Sequence, residues 1–339
     1  MIFPFSAIVG QDEMKTGLLL NVVDPAIGGL LIMGEKGTAK STAVRALADL
    51  LPEIEVVEGC PFGCTPDGLL CSACRERLNK NEGLKREMRK MKVVELPLGI
   101  TEDRLVGTLD IEHALKKGEK RFEPGILAAA NNNFLYVDEV NLLEDHIVDL
   151  LLDSAAMGVN TVEREGVSFT HPARFILVGT MNPEEGELRP QLLDRFGLCV
   201  RVTSVRDKNK RIEILRRRMR FDAEPDSFLR EWQAEQERMA AQVTAARERR
   251  DRIEMSEPVL EQIVAMTTQL NLDGHRADIV ILKAARALAA LAGKGEIGTE
   301  EVRTAAMLSL IHRQKRLPFE EMGSQMTKVQ QLFSGASRP

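Results

Sequence analysis

One short segment constrains the fold of this chain more than any other part of the sequence. An apolar run at 29–33 leads into a glycine-containing loop, and a helical pattern over 42–51, ended by Pro52, follows directly. The loop consists of Gly34, Glu35, Lys36, Gly37, Thr38, Ala39, Lys40 and Ser41. A strand, a glycine-containing loop closed by Lys-Ser, and a helix form the arrangement of a phosphate-binding loop. The segment therefore predicts an α/β unit with a nucleotide site.

The residue types of this loop fit the binding of Mg·ATP. Backbone N–H groups of the loop and the helix N-terminus point at the phosphates. Lys40 would reach the β- and γ-phosphates, the Ser41 hydroxyl would bind Mg²⁺, and Thr42 continues the same helix start. Ala39 stands where a third glycine is usual, so we expect nucleotide binding to survive with its affinity open to tuning. The alternative is a glycine-rich turn with a chance Lys-Ser pair, which the strand–loop–helix context disfavours.

A second apolar run, 134–137, ends in two adjacent carboxylates, Asp138 and Glu139. Asp138 would hold the Mg²⁺ through water, and Glu139 would orient and polarise the attacking water. A third run, 175–179, is followed by Asn182. This amide either contacts the γ-phosphate or the lytic water, or is a turn residue before Pro183, and the pattern alone leaves both interpretations open.

The order of the patterns predicts two domains. Strand candidates at 29–33, 93–96, 133–137 and 175–179 alternate with helical patterns, which favours a parallel sheet covered on both faces over residues 1–205. From 206 to 339 only helical patterns occur, so an all-helical C-terminal domain is expected. The expected helices cover residues 228–253, 275–292 and 299–312, with another starting near 256. A cysteine-rich insertion at about 58–80 interrupts the first domain.

Composition excludes several classes of protein. With 44% hydrophobic and 29% charged residues the chain of 339 residues can build a sizeable core, and its net charge of −5 gives no general attraction to nucleic acid or membrane. It has no apolar run long enough to span a bilayer, and its N-terminus is not expected to be a secretory signal, so a cytoplasmic location is expected. The basic run at 206–220 is read as a solvated helix face in preference to a site for an acidic partner or nucleic acid.

Four cysteines fall within fifteen residues: Cys60, Cys64, Cys71 and Cys74. Thiolates gathered this closely suit tetrahedral ligation of Zn²⁺ or of an iron–sulfur cluster, and the spacing does not separate the two. The alternative is a set of unliganded thiols or transient disulfides in a loop. Cys199 lies apart, next to an apolar strand, and is expected in the core. The five histidines are scattered and form no ligand spacing.

Several of these segments resemble a known family. The segment 8–11, the loop at 34–41, Asp138-Glu139, Asn182 and the segment 193–196 look like an AAA+ ATPase, with a three-layer α/β/α core and a helical C-terminal domain. The segments 135–143, 161–175 and 182–197 resemble, more narrowly, the I subunit of magnesium chelatase. The resemblance covers residues 3–55 and 93–320. The familiar photosynthetic members lack a clear four-cysteine loop, which is where this sequence departs from the family.

The resemblance implies further site residues. Arg195 looks like an arginine finger that completes the ATP site of the neighbouring subunit in trans, with Arg189 as the second candidate. Arg276 looks like a sensor-2 arginine, and its alternative is a solvated arginine at a helix start. Val9 and Gly10 would contact the nucleotide. Residues 155–171 match a pre-sensor hairpin and 101–130 a helix-two insertion, so Glu163 and Arg164 are expected to be structural or contact residues.

The resemblance also implies a function and partners. The chain would form a homo-oligomeric ring, expected to be a hexamer, and hydrolyse ATP to drive insertion of Mg²⁺ into protoporphyrin IX or a related tetrapyrrole. A D-type subunit with an integrin-like domain and a large porphyrin-binding subunit would be separate chains, with no nucleic acid involved. Two alternatives remain: a MoxR-like ATPase that remodels a protein client, and a ring protein that senses nucleotide or metal. A DNA translocase is disfavoured by the charge.

Overall fold

The structure is a computed structural model that describes residues 1–35, 37–110, 121–164, 167–186, 188–272 and 274–313. The nucleotide-binding candidate Lys36 lies outside the described residues. So do residues 111–120 of the expected helix-two insertion and residues 314–339 of the expected helical domain.

The strands of the described residues fall into one main sheet and three hairpins. They are β1 Leu30–Gly34, β2 Ile54–Val57, β3 Arg86–Arg89, β4 Val93–Glu95, β5 Gly107–Asp110, β6 Arg121–Pro124, β7 Phe134–Val137, β8 Val159–Arg164, β9 Val167–Pro172, β10 Ile176–Met181 and β11 Leu198–Val202. The main sheet has the order β11-β1-β10-β7-β4, and each neighbouring pair is parallel. The remaining strands pair antiparallel as β2–β3, β5–β6 and β8–β9.

Helices connect the parallel strands and make up the second half of the chain. They are α1 Asp12–Val23, α2 Lys40–Leu50, α3 Ser72–Asn79, α4 Glu102–Val106, α5 Ile126–Ala130, α6 Asp145–Met157, α7 Pro190–Arg195, α8 Lys208–Ala223, α9 Pro225–Arg249, α10 Glu257–Gln269, α11 Arg276–Leu291 and α12 Thr299–Leu310. Parallel strands joined by helices confirm the predicted α/β class.

Two apolar clusters separate the three layers. Successive residues of a strand point to opposite faces, and in β1 Leu30 and Ile32 enter one cluster while Leu31 and Met33 enter the other. The first cluster contains side chains of α1, α2 and α11, and the second contains those of α6. The sheet is therefore buried on both faces, which explains why its central strands are continuous apolar runs.

From α8 to α12 the regular secondary structure of the described residues is helical, apart from an isolated bridge between Glu254 and Glu296. Helix α9 is long, as predicted, and is exposed or half-buried except at Phe228, Val243 and Ala246, which are buried. The alanine-rich face of α11 belongs to the same apolar cluster as α1 and the sheet, so these helices pack onto the α/β core. Among the helices that the structure describes, none has the length and apolar character needed to cross a bilayer.

Candidate nucleotide site

A cavity of about 770 Å³ opens at the carboxyl ends of β1, β7 and β10. It is lined by Val9, Gln11, the loop residues 37–42, Asp138, Glu139, Thr180 and Asn182, among others. Crevices at the carboxyl ends of parallel strands are the usual ligand sites of open α/β sheets. The topology therefore brings together residues that lie far apart in the sequence.

The backbone of the phosphate-binding loop is held in an unusual conformation. Ala39, the N-cap of α2, has φ 63° and ψ 23°, the left-handed region that glycine normally occupies. Gly37 also has a positive φ of 80°, and a Cβ there would have no atom within 4 Å. The Lys40 ammonium donates to the carbonyl oxygen of Gly34 at 2.6 Å, so this side chain folds over the loop. The described residues of the loop thus curve around the Lys40 ammonium.

Three candidates from the sequence hold the backbone beside the cavity but do not line it. A Cβ on Gly34 would lie 2.2 Å from the carbonyl oxygen of Val202, so only glycine allows β1 to approach β11 here. A Glu35 carboxylate oxygen accepts a hydrogen bond of 2.9 Å from the Ser204 hydroxyl. Gly10 makes a turn at φ 68° beside the cavity-lining Val9.

The two acidic residues after β7 are positioned by a threonine that the sequence analysis missed. The Thr180 hydroxyl donates to Asp138 Oδ1 and accepts from the Glu139 backbone N–H at 3.1 Å. The Tyr136 hydroxyl also donates to Asp138 Oδ1, at 3.1 Å. Burial, and then the nearby Asp138 carboxylate, raise the pKa of Tyr136. Tyr136 therefore stays a neutral donor, and Asp138 is held in one orientation.

Glu139 has a left-handed backbone conformation, with φ 52° and ψ 52°. Such a conformation in a non-glycine residue costs about 1–2 kcal/mol and occurs preferentially at functional sites. The only sequence signal for Thr180 was its place at the tip of β10, next to β7 in the sheet. That neighbourhood depends on strand order, which the sequence did not contain.

Asn182 meets both interpretations that the sequence left open. It lines the cavity, and its Oδ1 accepts from the backbone N–H of Glu184 at 3.3 Å, which is a turn interaction. Its side chain is therefore held at the cavity wall by the turn that follows β10.

The three candidate arginines lie away from the cavity of their own chain. Arg195 is half-buried and its guanidinium contacts Asp149 at 2.9 Å and Asp153 at 2.7 Å. Arg189 contacts Asp145 at 2.6 Å. Arg276, at the start of α11, contacts Asp194 at 3.1 Å.

Three residues of the basic run were missed as candidates. Arg211, Arg217 and Arg218 of α8 line the cavity, so the interpretation of the run as a solvated face is incomplete. Arg217 donates to the carbonyl oxygen of Ala7 at 3.0 Å and lies 4.5 Å from the centre of the Trp232 ring. The spacing of Arg211 and Arg218 by seven residues, two helical turns, was the available signal.

The four cysteines of the insertion, here called the four-cysteine cluster, lie together outside this cavity. Their Sγ atoms are all within 4.8 Å of one another, and Cys64, Cys71 and Cys74 are buried. Hydrogen bonds from Cys64 and Cys71 lower the pKa of Cys60, whereas burial raises that of Cys74 to about 12. Cys199 is buried in the main core, as predicted, and burial raises its pKa to about 12.

Comparison with known proteins identifies the family. The family model "Magnesium chelatase, subunit ChlI" matches residues 110–210, and an AAA lid domain model matches residues 260–332. A magnesium-chelatase subunit ChlI homolog of Methanocaldococcus jannaschii is 54% identical over 98% of this chain and 91% of its own length. The chain belongs to the magnesium chelatase subunit ChlI family.

Other members of the ChlI family are similar over comparable lengths. The magnesium-chelatase 38 kDa subunit of Rhodobacter capsulatus is 54% identical over 95% of this chain and 91% of its own. The chloroplastic ChlI subunit of Nicotiana tabacum is 52% identical over 98% of this chain and 78% of its own. The predicted family, and with it the AAA+ ATPase class, is confirmed, and membership implies ATP and Mg²⁺ as cofactors.

Solved structures agree with this assignment. A structure of the BchI–BchD complex of magnesium chelatase contains a chain with 50% identity and a TM-score of 0.55, covering 96% of this chain and 98% of that one. A protein of Cytophaga hutchinsonii has a TM-score of 0.64 at 18% identity, over 97% of this chain and 90% of that one. At this identity the second match shows the shared fold alone.

Proposed function

We propose that this chain is the ATP-hydrolysing motor subunit of a magnesium chelatase-type complex, and that ATP turnover drives insertion of Mg²⁺ into protoporphyrin IX or a related tetrapyrrole. The observation that carries the proposal is the cavity, where Lys40, Asp138 and Glu139 meet in a chain more than half identical to ChlI proteins over nearly its full length. We place the boundary between the ATPase core and the helical domain near residue 205.

Five residues of the cavity would have separate roles in hydrolysis. Mg·ATP would supply the phosphoanhydride bond, whose hydrolysis to ADP and phosphate releases free energy. Lys40 would neutralise phosphate charge, and Ser41 together with Asp138 would hold the Mg²⁺. Thr180 and Tyr136 support this assignment because both donate to Asp138 and leave its other oxygen for the ion or its water shell. Glu139 would accept hydrogen bonds from the attacking water and orient it, with Asn182 beside it.

The arginines suit roles at a subunit boundary. Arg195 is held by Asp149 and Asp153 on the surface, away from the cavity of its own chain, which fits a finger that acts on a neighbour in a ring. We assign Arg195 this role in preference to the more exposed Arg189. Arg276 would serve as the sensor-2 residue, since its contact with Asp194 joins the start of α11 to the helix that carries Arg195.

The partners of the proposed motor are two further kinds of chain. A related protein has been solved in a complex of BchI and BchD. We therefore propose a D-type subunit with an integrin-like domain as the direct partner, and a separate large subunit that binds the porphyrin. We also propose that the four-cysteine cluster ligates a metal, either Zn²⁺ or an iron–sulfur cluster.

Metallation of protoporphyrin IX, followed by fluorescence, tests the proposed function. The assay contains this chain, the D-type and large subunits from the same source, ATP and Mg²⁺. We expect ATP-dependent metallation with the wild-type chain, none with Lys40→Ala, and normal rates with Lys85→Ala, an exposed lysine directly before β3. Hydrolysis of ATP without metallation by the wild-type complex would refute the chelatase role and favour remodelling of a protein client.

A further inference from the structure

The sulfur geometry of the four-cysteine cluster separates two kinds of metal site. With Zn–S bonds of about 2.3 Å, the sulfurs of a tetrahedral site lie about 3.8 Å apart. The Sγ atoms of Cys60 and Cys71 are 3.8 Å apart, and no pair in the cluster exceeds 4.8 Å. In an iron–sulfur cluster the four cysteines are divided among two or four iron atoms, so sulfurs bound to different irons must lie farther apart. The cluster has the dimensions of a site for one ion.

The backbone around the cysteines forms two chelating turns. In the first, the Gly63 N–H donates to the carbonyl oxygen of Cys60 at 3.1 Å, with Gly63 at φ 52°, and this turn brings Cys60 and Cys64 together. In the second, Cys71 is the N-cap of α3 and Cys74 lies in its first turn. The Cys71 N–H donates to Cys64 Sγ at 3.2 Å and joins the turns. Paired turns whose four thiols converge, three of them buried and that of Cys60 half-buried, are typical of closed structural zinc sites.

The cluster lies near the amino end of β7, whereas the nucleotide cavity lies at its carboxyl end. The side-chain amides of Asn131 and Asn132 donate to the carbonyl oxygens of Phe62 and Gly63, at 2.8 and 2.9 Å. These asparagines precede β7, whereas the acidic residues of the cavity follow it. Four strand residues span about 13 Å, so an ion at the cysteines is not the ion of the ATP site.

The loop between the first two cysteines carries an aromatic side chain that contacts two hairpins. Phe62 packs on Phe122 of β6, with ring centres 6.1 Å apart, and on Phe169 and His171 of β9, at 5.9 and 4.9 Å. Phe122 and Phe169 stack on each other at 4.2 Å. We call these four residues the aromatic cluster. Through it, the loop that the cysteines shape supports both the β5–β6 and the β8–β9 hairpins.

We propose that the four-cysteine cluster binds one Zn²⁺ and that this ion fixes the aromatic cluster on which the two hairpins rest. Zinc has no redox chemistry and accepts four thiolates in a closed tetrahedral site. The thiols must lose their protons to bind it, and the ion balances the charge that would otherwise make four neighbouring thiolates repel one another. This role does not depend on what the ATPase drives.

Metal content is the first test. The full-length protein is purified without chelators, and its zinc, iron and inorganic sulfide are measured. We expect one zinc ion per chain in the wild type and in Cys199→Ser, whose cysteine lies in the main core, and loss of the zinc in Cys71→Ser. Cobalt supplied in place of zinc should give the absorption of tetrahedral thiolate ligation in the first two proteins only. Iron with inorganic sulfide, or full-length protein that binds neither zinc nor cobalt, would overturn the proposal.

Hydrogen–deuterium exchange tests the structural part with the wild-type chain, so it does not depend on whether a cysteine variant folds. Removal of zinc by a chelator should speed amide exchange at least tenfold in β5–β6 and β8–β9, and re-addition of zinc should reverse it. Strand β1, buried in the main sheet, is the internal control and should not change. Unchanged exchange in both hairpins after zinc removal would overturn the proposed support.

Discussion

Thr180 connects the two acidic residues of the cavity, and this contact makes the geometry at the end of β7 depend on β10. Its hydroxyl donates to Asp138 and accepts from the Glu139 backbone, while Glu139 itself is held at a φ of 52°. A left-handed backbone in a glutamate persists only where its surroundings impose it. The direction of the Glu139 side chain is therefore set by its neighbours before nucleotide arrives.

Substitution of Glu139 separates binding from hydrolysis. Glu139→Gln keeps the size of the side chain but removes the carboxylate that orients water, so we expect turnover to fall about 10²- to 10⁴-fold. ATP binding, measured by titration calorimetry, should change little. Glu184→Gln, an exposed glutamate on the next loop, is the matched control and should keep full activity. Normal turnover of Glu139→Gln would remove Glu139 from the mechanism.

His171 makes stability depend on pH. It is 1% exposed, and burial lowers its pKa below the ordinary value. Asn160 donates to its Nε2 at 3.0 Å, so the neutral ring donates from Nδ1 to the Pro172 carbonyl. The unfolded chain takes up this proton near pH 6.5, before the folded chain does. The stability that the neutral His171 ring contributes is therefore fully present above that pH, and it is lost as the pH falls below it.

Below pH 6.5 there is a range in which the unfolded chain has bound this proton and the folded chain has not. Over that range we expect the free energy of unfolding of the wild type to fall by up to about 1.4 kcal/mol per pH unit. His171→Gln cannot titrate, so its unfolding free energy should depend less on pH between 7 and 5. Urea unfolding at several pH values measures the difference. Because both proteins keep the four-cysteine cluster, acid release of a metal affects them alike. Equal pH dependence would show that His171 does not contribute.

At the scale of elements, Arg313 joins the end of α12 to the turn after α7. Its side chain is 3% exposed and pairs with the Asp194 carboxylate at 3.0 Å. It also donates to the carbonyl oxygens of Asp194, Phe196 and Gly197, at 3.0, 2.6 and 3.0 Å. One guanidinium thus satisfies the end of the helix that carries Arg195. No periodicity in the sequence indicated this contact, because it joins segments more than a hundred residues apart.

Replacement of Arg313 by lysine should destabilise the protein. An ammonium cannot satisfy the planar set of acceptors that the guanidinium does, and each buried acceptor left unpaired costs about 1–3 kcal/mol. We expect Arg313→Lys to lower the free energy of unfolding by about 2–4 kcal/mol, measured in urea. Arg303→Lys, at a half-buried arginine within α12 that pairs with Glu300, should change it by less than about 0.5 kcal/mol. Equal effects of the two substitutions would contradict the role of Arg313.

The parallel strands were predictable because burial on both faces makes them continuous apolar runs. The connecting helices were predictable because burial of one face gives their sequences a periodic apolar pattern. The β5–β6 hairpin was not predicted as strands, because its strands are short and mixed in character. Helix α1 was also missed, since its buried residues lie on more than one side and give no single apolar face. Helix α6 begins only at Asp145, and Leu142 before it lies in a 3₁₀ turn that follows the left-handed Glu139. Such effects depend on tertiary contacts.

The cavity residues were predictable wherever a motif is local in sequence, as at 34–41 and at Asp138-Glu139. Ala39 was noticed as a departure, and the structure gives its physical meaning, a left-handed conformation in a non-glycine residue. Thr180 and the arginines of α8 were missed because only the fold brings them to the cavity. The metal at the cysteines was left open because spacing does not report sulfur–sulfur distances.

At the scale of the whole molecule, the position of Arg195 leads to a test of the ring. Subunits with Arg195→Ala keep a complete cavity but would give their neighbour no finger, and Glu139→Gln subunits keep the finger but not the water-orienting carboxylate. Each variant alone should be nearly inactive. In a mixture, the Glu139→Gln subunits supply fingers to intact cavities, so we expect part of the ATPase activity to return, measured by phosphate release.

The same mixture made with Arg189→Ala distinguishes the two candidate fingers, because Arg189→Ala alone should keep its activity. Equal sedimentation of all variants must first establish that they assemble alike. Failure of the Arg195→Ala and Glu139→Gln mixture to recover activity would mean that Arg195 does not act across a subunit boundary.

The pairing of β2 with β3 has a consequence for how this chain can be altered. Val57 and Arg86 face each other in that ladder, so the polypeptide holding the four cysteines leaves the body of the protein and returns to it at one point. Both ends of this segment meet at one place, so a short turn could join β2 to β3 in its stead, with loss of the Phe62 contacts to the two hairpins. A reporter or a different ligand-binding loop could be inserted between β2 and β3. It would then lie away from the proposed ATP site.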